Sequence, residues 1–173
     1  APSAVRAGAK TYVVAPDTGQ GQFLPTSTPR ALAAQELPGI VHTYAAAARN
    51  AVQSAGFDGV EIHGANGYLL DQFLKDSANR RHDDYGGGIV RRARLMLEVT
   101  RAVADAVGGG RVGLRLSPVN PANDSHDSNP QPLYEHLAHQ LAGLGLAYVH
   151  VIEGASSGPR EVEGRPFDYA AFK

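Results

Sequence analysis

The sequence predicts an α/β fold built on parallel strands, and three observations lead there. Apolar residues recur every three to four positions over three stretches, and each stretch is followed after a few residues by a short run rich in Val, Ile or Leu. Glycines punctuate the joints, at Gly56 and at Gly108–Gly110. Helix and strand thus alternate with short helix-to-strand connections, the pattern of parallel strands joined by right-handed crossovers.

Residues 1–35 are rich in Pro, Gly, Ser and Thr and stand apart from this alternation. An extended patch from Lys10 to Val14 and another from Gln22 to Leu24 flank a turn-prone stretch, which predicts a short hairpin excursion followed by a loop. From Pro38 to about Ala55, the spacing of Ile40, Val41, Tyr44, Ala48 and Val52 predicts a helix that Gly56 stops. Phe57 to Ile62 reads as a strand, with His63 to Gly67 as the loop leaving its C-terminal end. After a polar stretch over 79–88, Ala93, Leu95, Met96, Val99, Val103 and Val107 lay an apolar stripe along a second helix, about Ile89 to Val107.

Val112 to Ser117 is the next predicted strand, followed by a polar loop from Pro118 to Pro130. Leu133, Leu137 and Leu141 mark a third helix, about Pro132 to Leu144, and Tyr148 to Ile152 a third strand. Residues 1–173 are expected to form a single, partial domain whose αβαβαβ core spans 36–173. Two architectures use this repeat, a doubly wound sheet and a (β/α)8 barrel. Three strands cannot close a barrel, which typically needs about 250 residues. Neither Gly86–Gly88 nor Gly108–Gly110 fits a dinucleotide fingerprint or a P-loop, so both read as turn and cap chemistry. Periodicity leaves the choice between the two open.

Composition narrows the functional classes. With 16 Lys+Arg against 17 Asp+Glu and a formal net charge of −1, the chain lacks the basic footprint of a nucleic-acid binder. The absence of Cys excludes a disulfide scaffold, a thiolate metal site and a thiol nucleophile, and it fits a reducing compartment. No apolar run is long enough to span a membrane and no signal segment opens the chain, so no membrane partner is expected and the cytoplasm is the expected location. The chain starts at Ala1 and its only methionine is Met96, as expected of a piece of a longer protein.

His63, Asn66 and Tyr68 cluster just beyond a predicted strand, where parallel α/β folds place their binding loops. A His and an Asn three apart can turn two N–H donors onto one oxygen, and a tyrosine hydroxyl can donate a proton. The alternative is that His63 and Asn66 satisfy loop backbone groups while Tyr68 packs. Arg115 alternates with Leu114 and Leu116, so it points away from their face; it aims either into a lumen, where it needs an electron-rich partner, or into solvent at an edge. His136 and His139 are three apart on a predicted helix but have no third ligand nearby, and no metal site is expected. No serine nucleophile elbow is present.

Taken together, several segments resemble the old yellow enzyme family of FMN-dependent ene-reductases. They are the run Gly56 to Leu74, the pattern Asn79, Arg81, Asp83, Tyr85, Gly86, Gly87 with Arg92 to Arg94 beyond it, the run Val112 to Pro118, and the stretches Ala1 to Ala4 and Pro29 to Ala31. The resemblance implies a (β/α)8 barrel, here incomplete, with FMN at its C-terminal mouth and NADPH or NADH as the hydride donor. It implies that His63 and Asn66 hydrogen-bond the oxygen of an activated alkene or nitro compound, that Tyr68 donates the proton, and that Arg115, together with His63, lies at the flavin. The chain is similar to the middle of the family's barrel. The upstream flavin contacts and the downstream elements that hold the FMN phosphate have no counterpart in it.

Gly88 stands where the family usually has Ser, and Val90 and Arg91 where it has Glu and Asn, which removes a side-chain oxygen from the expected helix cap. A second reading, from a different class, is a non-catalytic barrel piece or interaction module that buries its strand edges by self-association or against a completing chain.

Overall fold

The computed structural model describes residues 1–156 and 158–172. In chain order its strands and α-helices are β1 (Lys10–Val14), β2 (Gly21–Pro25), α1 (Leu37–Arg49), β3 (Val60–Gly64), α2 (Leu69–Leu74), α3 (Ile89–Val107), β4 (Val112–Leu116), α4 (Pro130–Leu141), β5 (Tyr148–Val151) and α5 (Tyr169–Phe172). β1 and β2 pair antiparallel as the expected hairpin, with every strand residue exposed. β3, β4 and β5 form a parallel sheet in that order.

The two faces of this sheet differ in character because side chains alternate along each strand. Ile62, Leu114 and Leu116 point to one face and pack with Leu95, Met96 and Val99 of α3 and Leu133 and Leu137 of α4 in the principal core. Each fully buried leucine there contributes roughly 1.5–3 kcal/mol. α3 also packs against α1, α2 and α4, so the helices lie in one layer on that face. Glu61, His63, Gly113, Arg115, Tyr148 and His150 share the other face. A doubly wound sheet would carry helices on both faces; one layer outside and a polar row inside make this an arc of a (β/α) barrel.

Several element boundaries differ from the sequence reading. The first helix reaches its expected end in two forms: α-helix stops at Arg49 and a wider π-type turn continues over Asn50–Ser54. β3 spans Val60–Gly64 rather than Phe57–Ile62, since its ladder begins where Val60 meets Val112, the first residue of β4. Residues 57–59 precede that pairing and Phe57 is exposed, so His63 lies within the strand and not in the loop beyond it. α4 begins two residues early, on Pro130 at its first turn, and yields to a 3₁₀ turn over Ala142–Leu144. β4 ends at Leu116 and β5 at Val151, one residue short in each case.

α2, which the periodicity did not reveal, buries Leu70, Phe73 and Leu74. α3 starts at Gly88, which as expected gives no side-chain cap. Arg92 ties down this entry instead. Its Nε donates to the Leu74 carbonyl at 2.7 Å, its Nη1 to the Gly87 carbonyl at 2.7 Å and its Nη2 to Asp127 at 2.7 Å. Among the described residues no helix is long and apolar enough to cross a membrane, and no group of side chains could hold a metal ion.

Candidate active site

The site begins with one register row. His63 on β3, Arg115 on β4 and His150 on β5 are neighbours across the sheet and share its polar face. Behind them lie Glu61, Gly113 and Tyr148. Gly113 is required here because the Tyr148 ring lies over it: a Cβ on Gly113 would come within 2.3 Å of that ring. His150 Nδ1 sits 3.1 Å from Glu61 Oε2, so this histidine has a partner on the polar face. Arg115 has neither a hydrogen bond nor an ion pair among the described residues, and its buried Nε is orphaned. An unpartnered guanidinium in a partly buried position marks a place for an electron-rich or anionic group.

Past Gly64 the chain makes a left-handed corner at Asn66 (φ 59°) and Gly67 (φ 71°) before α2 starts from Tyr68. Asn tolerates this backbone better than most residues, and Gly takes it freely. At Gly67 there is no room for more, since a Cβ would come within 2.6 Å of the Ala122 carbonyl. The corner folds Tyr68 back onto His63, with ring centroids 5.4 Å apart and planes inclined by 56°. The Tyr68 side chain is exposed and its hydroxyl has no partner among the described residues, which leaves the hydroxyl free to serve a ligand.

Both peptide units of the corner are held by side chains. The Asn66 N–H donates to Ser117 Oγ at 2.8 Å and the Gly67 N–H to Asp71 Oδ2 at 2.8 Å. The Asn66 carbonyl accepts from Asn123 Nδ2 at 2.8 Å and the Gly67 carbonyl from Gln72 Nε2 at 2.7 Å. Asp71 is fully buried and ion-paired at 2.8 Å with an equally buried Lys75, which also donates to the Ser117 carbonyl at 2.9 Å. The Tyr134 hydroxyl donates to Asp71 Oδ1 at 3.1 Å. Burial first, and the neighbouring Asp71 carboxylate second, push the Tyr134 phenol well above its ordinary pKa, so it remains a neutral donor.

The structure brings His63 beside Tyr68 and beside Arg115, and it holds Asn66 between the first two in the chain at a fixed corner. The supporting set of Asp71, Lys75, Ser117, Asn123 and Tyr134 escaped the sequence reading. Only the four-residue spacing of Asp71 and Lys75 was there to be noticed. His136 and His139 on α4 belong to no group of three or more side chains among the described residues that could hold a metal ion.

An open parallel arc with one helical layer outside and a polar row of side chains inside defines a (β/α)-barrel segment. The model of the NADH:flavin oxidoreductase / NADH oxidase family matches residues 5–168, and the chain belongs to that family. A probable flavin mononucleotide-dependent alkene reductase of Leishmania infantum is 52% identical over 134 residues, covering 78% of this chain and 36% of the relative. Morphinone reductase in complex with tetrahydroNAD superposes with a TM-score of 0.84 at 49% identity, over 88% of this chain and 42% of the other. The old yellow enzyme from Trypanosoma cruzi gives a TM-score of 0.86 at 38% identity, over 99% of this chain and 45% of the other. The chain therefore spans less than half the length of these relatives.

Proposed function

We propose that this chain supplies the substrate-facing part of an enzyme that reduces activated C=C bonds of α,β-unsaturated carbonyl or nitro compounds, using FMN and a nicotinamide donor, NADPH or NADH. One observation carries the reading: at the C-terminal end of a parallel sheet, His63 stands between an unpartnered arginine, Arg115, and a free tyrosine hydroxyl, Tyr68. The relative named for flavin mononucleotide-dependent alkene reduction supports it, as does the tetrahydroNAD complex of morphinone reductase.

The residues present fit a flavin at one point. Arg115 offers a charged donor with an orphaned buried Nε, the group that an electron-rich ring edge carrying negative charge would satisfy. His63, adjacent in register, would lie at the same group. Bound FMN supplies the hydride.

The chain's own side chains then do three things. His63 and Asn66 present N–H donors to the substrate oxygen, where negative charge grows as the alkene is reduced, and donors held in place beforehand lower the cost of that charge. Tyr68 holds a phenolic proton that it can deliver to the carbon next to the activating group. Arg115 balances negative charge on the cofactor side of the site.

A fluorescence titration of FMN with a longer protein that contains this chain tests the reading. Saturable quenching that Arg115→Met weakens strongly is the expected result. Quenching of equal strength in the variant, or no saturable quenching by the unaltered protein, would overturn it.

A further inference from the structure

We propose that the buried Asp71–Lys75 pair and Ser117 are positioning residues: they lock the backbone of the Asn66–Gly67 corner and so fix the point from which the Asn66 carboxamide is presented. The inference rests on the reading above only for what Asn66 addresses, not for how Asn66 is held. Its starting point is that each N–H and each C=O of Asn66 and Gly67 ends on a side chain, from Ser117, Asp71, Asn123 and Gln72. Loop peptides ordinarily satisfy some of these groups with water. A corner with every group taken has a single backbone orientation, and from it the Asn66 carboxamide oxygen accepts from Ser156 Oγ at 3.5 Å.

The ion pair is the costly part of this arrangement. Both side chains are completely buried, and replacing such a pair by apolar residues is often neutral or stabilising, so stability is a poor reason for its presence. Geometry is a better one. Asp71 divides its carboxylate, with Oδ2 taking the Gly67 N–H and Lys75 Nζ while Oδ1 takes the Tyr134 hydroxyl. Lys75 then reaches the carbonyl of Ser117, the residue whose hydroxyl holds the Asn66 N–H. One ammonium thereby ties the corner to the end of β4, the strand that carries Arg115, and charge-assisted bonds are the strong kind available for this. The donor that meets the substrate and the cation that meets the cofactor are referenced to the same rigid point.

The test is amide hydrogen exchange and the Asn66 χ1 coupling measured by NMR on the whole chain. Ser117→Ala removes one acceptor and is expected to lower protection of the Asn66 amide about tenfold and to average χ1. Lys75→Met leaves the Asp71 carboxylate without its cation and is expected to lower protection at Gly67 by a similar factor. The amides of Leu114 and Leu116 in β4 report global stability and are expected to hold. Should Lys75→Met fail to fold, Gln72→Leu, which frees the Gly67 carbonyl from a half-buried side chain, is read with Ser117→Ala in its place. Corner amides and a χ1 coupling that stay unchanged, or that move only in step with β4, would overturn the proposal. A failure of flavin binding would leave this result untouched, so the two readings fail separately.

Discussion

His63 and Arg115 are register partners on adjacent parallel strands, and both project from the face turned away from the helices. The pairing fixes their separation by backbone hydrogen bonding and not by loop conformation. In the proposed reaction the donor to the substrate and the cation toward the cofactor are thus held on paired strands, while the more exposed Tyr68 sits at the start of a short helix. That division leads to the first expectation.

In a protein that contains this chain and binds FMN, Tyr68→Phe removes only a hydroxyl that has no partner among the described residues. Flavin reduction by nicotinamide is expected to be nearly unchanged, and alkene reduction slower by about 10²–10⁴, the usual range for a lost acid. Stopped-flow traces separate the two. A slower first step with an unaltered second would return Tyr68 to a packing role against His63.

Gly67→Ala strains the corner twice, through φ 71° and through the approach of the Ala122 carbonyl. The expected loss in urea unfolding is about 1–3 kcal/mol, within the range for a residue forced into sparse backbone space. Gly88→Ala serves as the control, because nothing lies near its added methyl and its φ is −66°. Equal stability of Gly67→Ala and the control would show that the corner relaxes at no cost.

Glu36 reports on the segment that leads into α1. Its bidentate hydrogen bonds to Arg30, at 2.7 and 2.8 Å, and then the Ala33 N–H hold its carboxyl well down, at about 2. A depressed carboxylate adds stability that is present above its ordinary value near 4.5 and is lost as pH falls toward 2. NMR titration is expected to show that midpoint, and Arg30→Ala to return it toward the ordinary carboxylate range. A midpoint unmoved by Arg30→Ala would assign the shift elsewhere.

The sheet has two unpaired edges among the described residues, at β3 and β5, and Tyr148 and Val149 lie exposed on the latter. Open edges beside apolar side chains favour association. Sedimentation velocity of the isolated chain is expected to show self-association that grows with concentration. A monodisperse, cooperatively unfolding monomer is the opposite result.

Much of this was legible in the sequence because the core helices and strands carry clean periodicities: the stripe from Ala93 to Val107 became α3 with its predicted ends. β3 was displaced because a strand begins where its partner does, and Val112 is far from Val60 in the chain. α2 is too short for its period to show, and at six residues it depends on burying Leu70, Phe73 and Leu74. His63, Asn66, Tyr68 and Arg115 stood out by residue type and place. The clamp did not, since Ser117 and Asn123 reach Asn66 across 51 and 57 residues of sequence, and no local pattern says that Lys75 is buried.

The proposed role of His63 and Asn66, acting on charge that develops at the substrate oxygen, is tested most directly by single-turnover oxidation of the reduced enzyme by an enone, comparing a longer protein containing this chain with its His63→Ala and Asn66→Ala variants. Each variant is expected to slow alkene reduction by about 10²–10³ while flavin reduction changes far less, as removal of a preplaced oxyanion donor does elsewhere. Alkene reduction at an unaltered rate in both variants, with the loss confined to flavin reduction, would contradict it.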